Sequence, residues 1–181
     1  MKLTLRHYVL FLATLLIFGT FYLVSQQTLR ADANDPQIQM ALDEAALLNA
    51  GQTPDQTLGG RVDIDKSLAP FIIIYSKSGQ PIAGSGYLGQ SIPSVPKGVL
   101  TTADSQSYHT VTWQPQQGVR IAAVTVKADN YYVLGGRSLR LVEQRQDMVL
   151  WYVGSGFVVT LALFVIWSCV GFRSVKGKVR E

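Results

Sequence analysis

Residues 131–172 read YYVLGGRSLRLVEQRQDMVLWYVGSGFVVTLALFVIWSCVGF, and three kinds of pattern follow one another there with no Pro between them. Tyr131–Gly135 has the aromatic and β-branched character of a strand. From Ser138 onward Leu139, Val142, Gln146 and Val149 recur at three- and four-residue steps, a helical seam expected to face the first long helix near a membrane. Val149–Phe172 then runs 24 residues without a charge. A hydrocarbon core about 30 Å thick needs about 20 helical residues, so this run is long enough to cross one with some tilt. The stretch therefore reads as a strand feeding a helix that enters a membrane, and a shift in the sheet has a direct route into that helix.

A second uncharged run, YVLFLATLLIFGTFYLV at Tyr8–Val24, has seventeen residues, the short end of the spanning range. Trp151, Tyr152, Trp167 and Phe172 mark the ends of one run, and Tyr8 and Tyr22 those of the other, as interfacial aromatics do. Lys2 and Arg6 precede the first run with no acid beside them, and Arg173, Lys176, Lys178 and Arg180 follow the second against Glu181 alone. Basic flanks stay cytoplasmic, so both tails are expected inside and the segment between the runs outside. The competing reading of the first run is a cleaved signal peptide, with Ala31-Asp32-Ala33 in small-x-small form. The run exceeds the usual apolar length of such a peptide and those alanines lie well beyond its end, which favours a retained anchor. Cys169 near the cytoplasmic end is a palmitoylation site on one reading and a packing residue on the plainer one. Gly156 and Thr160 form a small-xxx-small pair, a common feature of membrane helices.

Composition agrees with this topology. Of the 181 residues 48% are hydrophobic and 15% charged, with a mean hydropathy of +0.18. Soluble domains carry about 25% charged residues. A freely soluble enzyme and a disordered chain are both disfavoured. Ser25–Asp147 holds ten basic and eleven acidic residues, so the net charge of +4 belongs to the tails. No basic face is left for nucleic acid. One Cys rules out an intramolecular disulfide and a cysteine-cluster metal site, and two His leave little for a histidine site.

The outer segment changes period along its length. Asp35-Pro36 looks like a helix start, with Asp as N-cap, and Ile38, Ala41, Leu42, Ala45 and Leu48 follow at helical spacing. Asn49-Ala50-Gly51 is a stop, and a Gly-rich connection runs to Gly60. Ala69–Tyr75 and Gln80–Ser85, joined by Ser76-Lys77-Ser78-Gly79, read as a hairpin. Tyr87–Pro96 is irregular and Lys97–Ser105 a short helix. Tyr108–Gln114, Val119–Lys127 and Tyr131–Gly135 are three further strands, close enough in sequence to be antiparallel neighbours. In the exit helix Arg140 and Glu143 are one turn apart and able to pair.

With the hairpin FIIIYSKSGQPIAGSG and the strand-to-helix stretch YYVLGGRSLRLVEQRQ in place, the order of elements resembles the PAS-like extracytoplasmic sensor domains of bacterial membrane receptors, notably histidine kinases. The resemblance spans roughly residues 10–172 and rests on pattern, not on a diagnostic motif. It implies an α+β fold: a five-stranded antiparallel PAS-like sheet with flanking helices, set between two transmembrane helices. The expected organisation is a basic tail at 1–7, a span at 8–24, an extracytoplasmic domain at 25–147, a second span at 148–172 and a basic tail at 173–181. After Phe172 only nine residues remain, without a linker domain, phospho-accepting His or ATP-binding region, so the expected output passes through another protein.

Tyr75, Tyr108, Trp113, Arg120 and Arg137 are the aromatic and cationic set that the resemblance would put at a pocket, where an Arg can hold a carboxylate in a bidentate pair. The plainer reading has Trp113 in the core and the arginines paired with acids. Leu139, Val142 and Gln146 are the expected signalling face. Gly84-Ser85-Gly86 and Gly135-Gly136 suit a pocket rim or, more simply, turns and bulges. Catalysis is disfavoured: His109 is the one outer His and no outer Cys accompanies it. Asp43-Glu44 point apart on a helix, and Asp63 and Asp65 suit a solvated loop or a cap. No P-loop, Rossmann or calcium motif is present. The expectation is thus a non-enzymatic sensor or binding protein without metal or cofactor. Its partners would be the membrane, another membrane or signalling protein, a second copy of the chain and a small-molecule ligand. The alternative is an accessory or assembly subunit of a larger membrane complex.

Overall fold

A computed structural model describes residues 5–32, 34–55 and 59–178, with side chains through Ser168. Lys2, Cys169, Phe172 and the basic residues after it, on which the tail-charge and palmitoylation readings rest, lie outside the described side chains. The chain divides into two compact units, residues 30–143 and residues 1–29 with 144–181.

The 30–143 unit is built on five antiparallel strands: β2 (Phe71–Ser76), β3 (Pro81–Gly84), β5 (His109–Gln116), β6 (Val119–Lys127) and β7 (Tyr131–Ser138). Their order across the sheet is β3-β2-β7-β6-β5. A separate parallel pair joins β1 (Val62–Asp63) to β4 (Gly86–Tyr87), which sequence reading left in loops. Both faces of the sheet are covered, which explains why FIIIY and IAAVTV are continuously apolar instead of alternating. One face carries Ile72, Ile74, Val124, Val126 and Val133 against Ala41, Ala45 and Leu48 of helix α2 (Asp35–Asn49). The other carries Phe71, Ile73, Tyr75, Trp113, Ile121 and Leu134 under Ile64, Val95 and Leu100. Leu100 lies on the short helix α3 (Lys97–Thr101), which passes into a 3₁₀ turn at Thr102–Asp104. Each fully buried side chain of this size contributes about 1.5–3 kcal/mol.

Gly135 and Gly136 sit in mid-strand on β7, at neither a turn nor a rim. A Cβ on Gly135 would lie 2.6 Å from the Gln37 carbonyl oxygen of α2, and one on Gly136 would lie 2.4 Å from the Phe71 ring. The central strand is bare at these two points so that α2 on one face and Phe71 on the other can close onto it.

Several boundaries move for identifiable reasons. Asn34, not Asp35, precedes α2; its backbone N–H donates to Ala31 O and its side chain to Arg30 O, so it serves the end of the preceding helix. β5 runs through Pro115 because the register shifts between Trp113 and Gln116, where a missing N–H costs no ladder bond on an edge strand. β7 extends three residues past Gly135, since Ile121 of β6 still pairs with Ser138.

The other unit consists of two long helices, α1 (Leu5–Asp32, within this unit to Leu29) and α4 (Arg140–Lys178, within it from Gln144). Both are long and apolar enough to cross a membrane, with mean hydropathies of 2.0 and 2.2 over stretches of 18 residues that are not buried. Their aromatic side chains meet: Phe18 and Phe157 at 5.8 Å between ring centroids, His7 and Phe164 at 5.6 Å. The Arg6 guanidinium lies 4.8 Å from the centre of the Trp167 ring. A Cβ on Gly156 would lie 3.0 Å from the Phe18 ring, and the Thr160 hydroxyl donates to Gly156 O at 2.8 Å. The small-xxx-small pair is therefore used inside this helical hairpin.

Candidate functional site

The residues singled out from sequence are divided between the two faces of the sheet. Tyr75 and Trp113 belong to the Phe71 layer, both buried. Arg120 alternates with Val119 and Ile121, which face that layer, so it points to the opposite face. Arg137 follows Gly136, which meets Phe71, and by the same alternation also lies opposite. Tyr108 is exposed just before β5. The Tyr75 hydroxyl donates to Pro93 O at 2.8 Å, and burial pushes its phenol well above the usual tyrosine range.

What the arginines do is hold the start of α4. The Leu139 N–H donates to Arg120 O at 2.9 Å, carrying the β6–β7 ladder one residue past the strand. The Ser138 hydroxyl accepts the Arg140 N–H at 3.3 Å, and Glu143 N–H closes the first helical bond onto Leu139 O at 2.9 Å. Arg120 then pairs with the Glu143 carboxylate, and Arg140 donates to Asp65 O. Arg137 reaches Leu68 O at 3.4 Å. The expected Arg140–Glu143 pair is absent among these contacts, because each side chain finds a partner on the sheet or the loop before it. Leu139, Val142 and Gln146 are half-buried, while Arg140, Gln144, Arg145 and Asp147 are exposed.

Two further features lay beyond sequence reading. At one end of the sheet the Tyr132 hydroxyl donates to Asp104 Oδ2 at 2.9 Å and Lys127 Nζ lies 3.2 Å from Asp104 Oδ1. Lys77 Nζ donates to Ala128 O at 2.8 Å and sits 4.5 Å from the Tyr132 ring centre. The Tyr132 hydroxyl and then Lys127 hold the Asp104 carboxyl below its usual range. Burial and then Lys127 lower Lys77, and burial and then Asp104 raise Tyr132. No local signal announces a network whose members are 28 and 51 residues apart. Beside α2 lies a groove of about 390 Å³ whose lining includes Met40, Leu47, Val62, Pro70 and Ile72 together with Asp43 and Glu44. Asp43 is exposed and accepts a hydrogen bond from Gln39 at 2.7 Å, whereas Glu44 is buried. Asp63 Oδ1 accepts the Asp65 N–H, a local cap.

His109 pairs with Thr125 through the β5–β6 ladder, and among the described residues its side chain makes no hydrogen bond. Comparison with protein-family models, with curated proteins and with solved structures gives no match.

Proposed function

We propose that the chain is a non-enzymatic, membrane-anchored sensor or binding protein. On this reading residues 25–147 form a PAS-like domain outside a bacterial plasma (inner) membrane, both termini are cytoplasmic, and a signal passes through the transmembrane helices to a separate partner. One observation carries it. The central strand of the sheet, β7, continues into α4, and the first turn of α4 is held to the sheet by Leu139, Arg120 and Glu143. A displacement of the central strand cannot leave that turn where it was. The order of helix, hairpin, irregular segment, three antiparallel strands and exit helix supports the PAS-like comparison.

The test is to recover the tagged full-length chain from native membranes in mild detergent and identify what accompanies it. A stoichiometric kinase or transporter is the expected result. Arg145→Pro, in the second turn of α4 where a proline removes an i−4 bond and breaks the helix, should then abolish output while the partner stays bound. A chain recovered alone, or output indifferent to Arg145→Pro, overturns the reading. Recovery with a respiratory or assembly complex would instead make the chain an accessory subunit.

A further inference from the structure

We propose that the outer edge of β5 is the surface through which two copies of this chain pair. The five-stranded sheet has two edges, β3 and β5. The β3 edge is four residues long and opens on Pro81, which has no N–H to offer. Short edges and prolines are the usual means of blunting a sheet. The β5 edge is eight residues long and carries no Lys, Arg, Asp or Glu. Its bulge and its Pro are confined to the Trp113–Gln116 end, which leaves five consecutive pairs with β6, from His109 to Trp113, as a regular ladder. An antiparallel ladder uses half of a strand's N–H and C=O groups. Among the described residues no backbone group outside β6 meets the other half.

The sequence of this edge indicates what would cover it. His109-Thr110-Val111-Thr112-Trp113 is symmetric in character about Val111: ring, Thr, Val, Thr, ring. A two-fold axis through Val111 sets Val111 opposite Val111 of the second copy, Thr110 opposite Thr112, and His109 opposite Trp113. Opposed residues share a face in an antiparallel pair, and Thr–Thr and aromatic pairs there are favourable. His109, Val111 and Trp113 would extend the Phe71 layer, while Thr110 and Thr112, both exposed, would meet on the other face. No formal like charges are opposed. A peptide of unrelated sequence has no reason to match this symmetry, whereas a second copy matches it by construction. The product is a ten-stranded sheet continuous across two five-stranded halves.

The experiment uses the full chain in native membranes, with Cys169→Ser as background. Val111→Cys places two thiols on the axis, with Cα atoms about 4.5–5.5 Å apart, inside disulfide range. Ile82→Cys, at an exposed position on the β3 edge, is the control. Mild oxidation should give a covalent dimer of the Val111→Cys chain in clear excess over the control. Adding Thr110→Lys with Thr112→Lys sets two pairs of like charges opposite each other and should cut the yield about tenfold. Co-expression with a chain carrying Val111→Cys, Thr110→Glu and Thr112→Glu should restore it. The proposal is overturned if Val111→Cys links no better than the control, if it links to a different protein, or if the Lys pair leaves the yield unchanged.

Discussion

The Arg120 guanidinium on β6 pairs with the Glu143 carboxylate one turn into α4. Their side chains are 50% and 41% exposed, so solvent screening holds the pair to well under about 1 kcal/mol. Its weight lies in position. Glu143→Gln should leave the melting temperature of the chain nearly unchanged, while the backbone N–H groups of residues 139–143 exchange with solvent several-fold faster. Hydrogen exchange resolved along α4 measures this. Unchanged protection would mean that Leu139 N–H and Arg140 hold the turn without the ion pair.

Gly135 and Gly98 should respond oppositely to the same change. A methyl at Gly135 meets the Gln37 carbonyl oxygen at 2.6 Å, and that contact is backbone, so α2 must lift from the sheet. Gly135→Ala should cost about 1–3 kcal/mol or more. Gly98 lies in α3 with nothing within 4 Å of its would-be Cβ. Gly98→Ala should raise stability by up to about 1 kcal/mol through helix propensity. Thermal melts of the two variants in one detergent decide it.

Much of this fold is legible along the chain because its signals are local. Three consecutive Ile residues, the turn at Gly79 with φ of 88°, and the 24-residue uncharged run each declare themselves within a short window. The strand order is also constrained, since the short connections of β5, β6 and β7 force antiparallel neighbours. The parallel β1–β4 pair escapes notice because two-residue strands have no period.

The site was less legible, for a physical reason. Sequence marks residue types capable of binding and says nothing of which layer they join. Tyr75 and Trp113 fell on one face and Arg120 on the other because strand parity separates them. The partner of Arg140 is a backbone oxygen 75 positions away, which no side-chain pattern encodes.

Trp113 and Tyr108 test that separation directly. Trp113 is 7% exposed within the Phe71 layer, and Tyr108 is 41% exposed. Trp113→Ala should cost about 3–5 kcal/mol. Tyr108→Ala should stay within about 0.5 kcal/mol. Denaturation midpoints at fixed detergent provide the comparison, and a costly Tyr108→Ala would show that this ring has a partner.

The pH dependence of stability should have two limbs with different owners. Tyr75 is fully buried, and burial raises its phenol above the range of an unfolded tyrosine, about 10. A folded value above the unfolded one contributes stability that is complete below about pH 10 and is lost as pH rises through the folded value. Tyr132 acts in the same direction, through burial first and its bond to Asp104 second. Asp104 acts in the other. The Tyr132 hydroxyl and Lys127 depress its carboxyl, so its contribution is present above about pH 4 and fades as pH falls through the folded value. Tyr75→Phe should flatten the alkaline limb and cost about 1–2 kcal/mol at neutral pH, because Pro93 O loses its donor. Asp104→Asn should flatten the acid limb and leave the alkaline one largely in place. Unfolding midpoints of the three proteins across pH measure both limbs. An alkaline limb that survives in Tyr75→Phe would transfer it to Tyr132, whose hydroxyl already faces a carboxylate.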